Sequence, residues 1–600
     1  TGGGTDWNKV QGNIIGLGAD GSTVLANDGD GIYADGNVRY LEITKNVISG
    51  NSGNGIYIYD NGQDASGSSI VGNYIGTDAT GVLAKGNDGT GIYISGAGGF
   101  SANLIVIGDG TDDGKNIVSG NSGCGITISG NSAYQNKIQK NYVGVNINGA
   151  ALANALDGVR LENFTYGDSI IENVISGNGV NGIVTDGSWD NVILGNMIGT
   201  DPSGMSSVAN GQAGIYIHDS WETYGMKIGD GTPQGRNIIS GNGTNGIMLF
   251  EEYDYGIYNN TILGNYIGTA ADGISPLGNA GSGISFQSVG MVASTTDNEL
   301  NGNIISHNSG DGVTLDGSGV HSNFMFANSI YDNTGAGITI SNGAQYDIAP
   351  TIIDSLGLGN ILYGRGAGPG NIIQVYYNGS DEEGQIFFDT TQADEAGNWS
   401  IELTQVIGNL NITALHSVTT DGRNTSAFSA PFASAPGVFI PDSSYLNFGN
   451  IIVGDSLTLM IEAAVTGNGI ITTEGTLDFE SMFRGISGTE FPDTSFNGEK
   501  ITGYFQFKPT TFGTFSDTIR LTNNSSVNPL KIYLQGNGAP GTLVASASTV
   551  NFGNILVGDS STQTIRMFTN NGPVVLDSAK FIFGTHFMLA DLTLPDTLFV

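Results

Sequence analysis

The sequence predicts an all-β protein, a parallel β-helix followed by β-sandwich domains. Three observations carry this. Short Ile/Val runs flanked by Gly and Asn recur through the first 345 residues. No segment sustains the i, i+3, i+4, i+7 spacing of an amphipathic helix. After residue 345 the apolar runs lengthen and gain aromatics, and a different repeat appears with an offset of 104 residues (446 to 550).

Three pieces recur in the first region. One is an N-x-I/V-x-x-N hexamer: Asn46-Val-Ile-Ser-Gly-Asn51, Asn116-Ile-Val-Ser-Gly-Asn121, Asn173-Val-Ile-Ser-Gly-Asn178, Asn237-Ile-Ile-Ser-Gly-Asn242 and Asn303-Ile-Ile-Ser-His-Asn308. Its starts are 70, 57, 64 and 66 residues apart. A second is interleaved with it: Gly72-Asn-Tyr-Ile-Gly-Thr-Asp78, Gly195-Asn-Met-Ile-Gly-Thr-Asp201 and Gly264-Asn-Tyr-Ile-Gly-Thr-Ala270, with a degenerate copy from Asn141. The third is Gly-Ile followed by alternation, as in Gly55-Ile-Tyr-Ile58, Gly91-Ile-Tyr-Ile94, Gly125-Ile-Thr-Ile128, Gly214-Ile-Tyr-Ile217 and Gly337-Ile-Thr-Ile340.

Ile or Val at i and i+2 places two β-branched side chains on one face of a short strand. Gly and Asn at the flanks supply tight turns and positive φ. One such strand cannot bury its face alone, but stacked coils can, with parallel hydrogen bonds from coil to coil. Asn recurring at equivalent turns predicts side-chain amide ladders along the stack. Three coils per repeat predict about fifteen coils before residue 345, a rod about 70 Å long at the strand spacing. These motifs resemble the right-handed parallel β-helix repeats of the pectate-lyase-like superfamily, over more than half the chain. The resemblance speaks for architecture and is nearly silent about activity.

Pro350 marks the change of pattern. Residues 346–434 carry Ile372-Ile-Gln-Val-Tyr-Tyr377, Gln385-Ile-Phe-Phe388, Ala393-Asp-Glu-Ala-Gly-Asn-Trp-Ser400, Ile412-Thr-Ala-Leu415 and Asn424-Thr-Ser-Ala-Phe-Ser429. Turn signals between these runs predict a sandwich with Trp399 in its core. The set resembles bacterial immunoglobulin-like modules of large surface proteins. Residues 435–540 open with Leu446-Asn-Phe-Gly-Asn-Ile-Ile-Val-Gly-Asp-Ser456, which returns as Val550-Asn-Phe-Gly-Asn-Ile-Leu-Val-Gly-Asp-Ser560. Tyr504-Phe-Gln-Phe-Lys-Pro509, Phe512-Gly-Thr-Phe, Asp517-Thr-Ile-Arg-Leu-Thr-Asn-Asn524 and Ile532-Tyr-Leu-Gln-Gly-Asn-Gly538 lie between them. This set resembles the hydin-like (ASH) sandwich family. Residues 541–600 read as a second copy cut short, so the natural polypeptide is expected to continue beyond Val600. The chain opens at Thr1 with no Met and no signal peptide, which reads as a mature, trimmed or partial product.

Composition excludes several classes. There are 96 Gly in 600 residues but only 14 Pro and no period of three, so the chain is not collagen. Apolar residues make up 39%, too many for a disordered linker. The net charge is −37 and no basic cluster exists, which argues against nucleic-acid binding. No apolar stretch is long enough to predict a membrane span. One cysteine, Cys124, allows no intrachain disulfide.

The search for catalytic residues selects none. The Gly-His-Gly and Arg-x-Lys of polygalacturonases are missing. Pectate-lyase chemistry needs an Arg base beside acidic calcium ligands, and the ten Lys/Arg of the helix region are scattered singly. The alginate-epimerase type carries Asp-Pro-His, whereas Asp201-Pro202 is followed by Ser203. His218-Asp219 is the best dyad, with a solvated turn the favoured reading. His307 reads as a turn variant, and His321, His416 and His586 show no partner in sequence. Cys124 occupies the turn position of Asn54, with intermolecular pairing left open. No cofactor is certain. Calcium is open at Gly108-Asp-Gly-Thr-Asp-Asp-Gly114, where Asp109, Asp112 and Asp113 cluster, and at Asp28 and Asp30; the parallel loop keeps only Asp230.

The expected function is an extracellular structural and adhesive protein, a stiff segment of a bacterial surface adhesin or appendage. Partners would be further copies in a fibre, or a surface glycan or protein. Tyr57, Tyr59 and Tyr93 alternate with Ile and would stack on sugars or on another subunit. The alternative is a secreted carbohydrate-active enzyme or tailspike-like depolymerase, which needs carboxylates converging from successive coils. A pure spacer is the third reading.

Overall fold

The computed structural model describes residues 6–36, 38–60, 64–96, 101–290, 294–357, 360–378, 383–404, 411–418, 423–433, 437–467, 470–477, 482–487, 493–495, 498–523, 525, 527–570, 572, 574–579, 586–588 and 596–598. Asn524, the last residue of one motif above, lies outside them. Two compact units are present. The first comprises 1–355, 363–401 and 410–433; the second comprises 356–362, 402–409 and 434–600.

The first unit is a parallel β-helix. Three sheets of eleven strands each run along it, and every strand pairs in parallel with its counterpart one coil away. The Gly-Ile pieces form the third sheet, where Ile56↔Ile92 and Ile58↔Ile94 are in register. These inward Ile side chains are fully buried, and each contributes about 1.5–3 kcal/mol of apolar burial. Both Asn-containing pieces form the second sheet. Val47, Tyr74, Ile117, Tyr142, Val174 and Met197 succeed one another in register.

The coil count therefore corrects the sequence reading. The hexamer and the Gly-Asn-Tyr-Ile-Gly-Thr piece are alternate rungs of one sheet, so each repeat holds two coils, not three. Eleven coils span about 50 Å at the strand spacing, not 70 Å. The two-coil period has a physical cause. Odd coils extend into a loop closed by a bridge, as in Thr77↔Ala84, Val145↔Ala151 and Thr269↔Pro276. These loops bond to each other past the intervening coil, Ala79 N–H to Gly21 O at 2.9 Å and Ile147 N–H to Gly81 O at 3.0 Å. The short Ser-Gly-Asn turn of each even coil leaves room for that contact. Its serine bonds the next loop, Ser49 Oγ donating to Thr77 O at 2.7 Å and Ser119 Oγ to Val145 O at 2.7 Å. Coil 11 lacks the long loop, and Ser306 Oγ of coil 10 is left buried without a partner.

The expected amide ladders are present. One runs through Asn13, Asn46, Asn73, Asn116, Asn141, Asn173, Asn196, Asn237, Asn265, Asn303 and Asn328, each Nδ2 donating to the next Oδ1. A second runs from Asn27 through Asn178 to Asn333. Backbone N–H groups at the corners share the same acceptors, so polar groups that turn inward are satisfied without water. The residue before each first-ladder Asn often takes positive φ, as at Lys45, Gly72, Lys140 and Glu172. At Gly144 both demands coincide: φ is 85° and a Cβ would lie 2.3 Å from Ser176 O.

The same unit also holds an antiparallel four-stranded sheet ordered Ile386–Gln392, Ile372–Asn378, Asn411–Ser417, Phe432–Ala433. This sheet meets the last coil. Tyr376, Leu415 and Phe428 pack in the β-helix core. Gln374 accepts from Ala327 N–H at 2.8 Å and donates to Met325 O at 2.7 Å. Trp399 is buried and its indole N–H donates to Thr351 Oγ1 at 2.7 Å.

In the second unit, two antiparallel-rich sheets enclose one core. One is ordered Val438–Pro441, Leu457–Thr466, Lys500–Phe507, Phe483–Ser487. The other is ordered Tyr445–Ile452, Leu530–Ala539, Gly513–Asn523, Ile470–Leu477, Asp493–Ser495. The Phe-Gly and Phe-x-Pro motifs supply that core: Phe448 and Phe507 have ring centroids 5.8 Å apart, and Phe483 lies 4.7 Å from Phe507. In the second copy of the motif, 551–560 forms no strand, and Leu556 and Val557 are exposed.

Candidate ligand-binding face

The outward side of the third sheet presents two columns. Each Gly-Ile strand places its second and fourth residues outward, one coil above the next. The second-position column reads Tyr33, Tyr57, Tyr93, Thr127, Arg160, Val184, Tyr216, Met248. The fourth-position column reads Asp35, Tyr59, Ser95, Ser129, Glu162, Asp186, His218, Phe250. Register thus brings Glu162, Asp186 and His218 together from coils 5, 6 and 7, and coil 8 adds Glu252.

His218 is held from both sides. Nδ1 lies 3.2 Å from Asp186 Oδ1 and Nε2 lies 3.2 Å from Glu252 Oε2. Burial works to lower its pKa, but Asp186 and Glu252 outweigh it and the pKa is raised. Asp186 is the converse: burial opposes ionisation, and His218 with Ser220 still draws its pKa down. Ser220 donates to Asp186 through N–H at 2.8 Å and Oγ at 3.0 Å. Nearby, Arg160 pairs with Asp157 at 2.6 Å and Glu162 at 3.4 Å. With both nitrogens facing carboxylates, His218 clamps neighbouring coils and is not a free base.

His218 and Asp219 form no dyad, and the favoured reading of a solvated turn fails at Asp219. Asp219 is fully buried and accepts from the backbone N–H groups of Glu252, Tyr253 and Tyr255. It shapes the loop that carries Trp221's neighbours. Trp221, Tyr253 and Tyr255 are exposed by 43%, 52% and 40%, with Trp221 stacked on Tyr255 at 4.4 Å. Exposed rings beside carboxylates suit hydroxyl-rich ligands, which offer apolar ring faces and hydroxyl donors together.

A third column lies at the corner between the third and first sheets. Tyr134, Tyr166, Trp189, Tyr224 and Tyr258 stack with centroids 4.8, 5.7, 5.8 and 5.1 Å apart and planes within 8°. Burial and the neighbouring Glu222 push Tyr258 up to about 12. Stacked rings cover each other's faces and show the solvent their edges. The same holds for Tyr57, which stacks on Tyr93 at 5.0 Å and Tyr59 at 5.9 Å. Tyr57 and Tyr93 do lie on the outward side, as the alternation implies, and are half-buried against each other.

The remaining candidates are dispersed. Cys124 is buried, its Sγ 4.0 Å from Asp157 Oδ2. Burial raises its pKa, so it presents no thiolate and no sulfur to another chain. His307 takes φ 60°, as the Gly it replaces would, and Nε2 lies 3.3 Å from Ile274 O. His321 stacks on Tyr346 at 4.7 Å. His416 is buried between Asn371 at 2.9 Å and Ala349 O at 2.8 Å, and burial lowers its pKa. His586 is exposed in the second unit. Asp109 and Asp230 each accept from the Thr two residues on, while Asp112 lies 3.3 Å from Lys140. Asp30 accepts from Asn54 N–H and Nδ2; Asp28 and Asp113 join neither arrangement. Among the described residues, no three His, Cys, Asp or Glu side chains are grouped to hold a metal. No helix among them is long and apolar enough to cross a membrane.

Residues 157–353 match a family model described as a right handed beta helix region. No similar sequence is found among curated proteins. Several solved structures align at low similarity. A protein of unknown function from Porphyromonas gingivalis is 13% identical, with 32% of this chain and 97% of that chain covered, at a TM-score of 0.16. The A-module of a mannuronan C-5 epimerase from Azotobacter vinelandii is 17% identical, covering 53% and 71%, at 0.24. Tailspike protein 2 of an Escherichia coli O157:H7 bacteriophage is 13% identical, covering 86% and 70%, at 0.23.

Sequence reasoning missed Glu162, Asp186, Glu252 and the corner column. The signal for two of them is present: Glu162 and Asp186 sit four residues after Gly158 and Gly182, as His218 does after Gly214. Coils of unequal length hide this until the pieces are aligned on that Gly.

Proposed function

We propose that the chain is a stiff extracellular segment of a bacterial surface protein, structural and adhesive in role. The β-helix is the rod, and the face bearing Glu162, Asp186, His218, Glu252, Trp221 and Tyr255 is its ligand surface. The observation that carries this reading is the two unbroken eleven-rung amide ladders. They fix every coil to the next and satisfy their own buried amides, which suits a load-bearing element. In the same reading, residues 346–434 are an immunoglobulin-like module, 435–540 a hydin-like module and 541–600 the start of another. The net charge of −37 suits a neutral or amine-bearing ligand and opposes a polyanionic one.

A second reading keeps the face but makes it catalytic, as a carbohydrate-active enzyme. Carboxylates converging from coils 5 to 8 favour it. The clamped state of His218 weighs against it, because both ring nitrogens are already engaged by carboxylates and neither is free for a substrate proton. A glycan array with the purified chain, followed by a reducing-end release assay on the glycans bound, tests both. Binding without release supports the adhesive reading; release abolished in Glu252→Gln supports the enzyme; neither binding nor release overturns the ligand surface. Electron microscopy of the same sample reads out self-assembly into fibres.

A further inference from the structure

A third polar ladder runs inside the corner beneath the aromatic column. Between Asn260 and Asn323 it repeats the pattern of the other two. Asn260 N–H and Nδ2 both donate to Asn298 Oδ1, at 3.0 and 2.8 Å, and Asn298 does the same to Asn323 Oδ1, at 3.2 and 2.9 Å. In coils 5 to 7 the equivalent residues are Asn136, Asp168 and Asn191. Asn136 N–H donates to Asp168 Oδ1 at 2.7 Å, and Asp168 N–H donates to Asn191 Oδ1 at 2.8 Å. An acid thus stands where the pattern uses an amide.

Other carboxylates in these stacks only accept. Glu383 receives donors from Asn333. Asp30 and Asp157 each receive the N–H and Nδ2 of one asparagine. Asp168 differs, because it lies between a donor and an acceptor. Its Oδ2 stands in place of the amide nitrogen that donates to the next Oδ1 in the other ladders, and it is buried without a hydrogen-bond partner. In that pattern the position faces the next Oδ1, and two facing oxygens without a proton repel each other. We infer that Asp168 is held as a neutral carboxylic acid whose Oδ2–H donates to Asn191 Oδ1, which makes coils 5 to 7 a pH-sensitive segment.

Independent support comes from its environment. Asp168 has no exposed surface, and burial pushes its pKa up to about 7 against the N–H of Asn136 and the nearby polar side chains of Asn136 and Thr165. No charged side chain acts on the carboxyl from any neighbouring element. Tyr166 and Trp189 of the aromatic column flank this corner in sequence, so loosening it disturbs the ladder of rings as well.

The sign follows from the folded pKa lying above the ordinary value of 3.8. The proton stabilises the β-helix fully below that value. Its contribution declines as pH rises toward about 7 and is absent, with no further slope, above it. Asp168→Asn supplies the same donor at every pH. In the full chain, the melting midpoint of the variant relative to wild type is expected to climb between about pH 4 and pH 7 and then level off. A difference that stays constant across this range overturns the inference. If the variant does not fold, infrared spectra of the wild type labelled with ¹³C at Asp carboxyls decide. A protonated-carboxyl band at about pH 5.5 that vanishes by about pH 8.5 is expected; its absence at the lower pH overturns the inference.

Discussion

Asn333 and Glu383 meet across the end of the β-helix: the backbone N–H of Asn333 donates to Glu383 Oε2 at 3.1 Å and its Nδ2 donates to Oε1 at 3.2 Å. Asn333 is the last rung of the second amide ladder, and a ladder of this polarity ends in donors. A carboxylate answers it with two acceptors. Gln345 answers the third ladder through Asn323 N–H at 3.1 Å, and Gln374 accepts from Ala327 N–H beside the last rung of the first. The second and third ladders are thus closed by acceptors that follow the last coil in sequence.

Glu383→Ala should loosen the end of the rod. It leaves two donors of Asn333 without an acceptor, at about 1–3 kcal/mol for each group that stays buried. Hydrogen exchange should accelerate in coils 10 and 11 and stay unchanged in coils 1 to 4. Uniform exchange in the variant would show that the closure is dispensable.

Asn196→Ala should cost several kcal/mol. Asn196 Oδ1 accepts from Asn173 N–H and Nδ2, and its own Nδ2 donates to Asn237 Oδ1 and Ile170 O. Each orphaned buried group carries about 1–3 kcal/mol. Denaturant unfolding measures this, and a loss below about 1 kcal/mol would mean that the ladder is not structural.

Gly144→Ala should fold poorly. The residue has φ 85° and a Cβ would sit 2.3 Å from Ser176 O and 2.4 Å from Asn178 Oδ1. Gly231→Ala has a similar φ of 80° and open space around its Cβ. It should lose only about 1 kcal/mol, the backbone part of the effect. Equal thermal midpoints for the two variants would rule out the steric account.

The His218 clamp should act below neutrality. Its pKa is raised by Asp186 and Glu252 against burial, so its stabilising contribution is full below the ordinary value of 6.5 and fades as pH rises through the raised value. His218→Gln should remove that slope from the local stability of coils 6 to 8, read by hydrogen exchange at a series of pH values. An unchanged slope would place the titration elsewhere.

Chelation separates two roles for the acidic loops. Asp109 already accepts from Thr111, and Asp112 lies against Lys140. EDTA is therefore expected to leave the melting midpoint unchanged. A fall that calcium restores would assign an ion to these loops.

Most of the architecture was legible in the chain. Ile at i and i+2 can bury only by stacking, and Asn recurring at the corners can bury only by bonding its own copies; Ile56, Ile58 and the Asn13-to-Asn328 ladder follow from those two facts. The number of coils was not legible, because the Ser-Gly-Asn and Gly-Thr-Asp turns look like different elements and are alternate rungs of one sheet. Only the stacked structure shows the odd loops bonding past the even turns. The candidate face was hidden for a related reason. Asp186, His218 and Glu252 are 32 and 34 residues apart, and loops of unequal length set which coil faces which. Local sequence determined each rung, since side-chain alternation and turn chemistry act over a few residues. Tertiary structure alone decided what stands beside what, because register between coils is fixed by contacts distant in sequence.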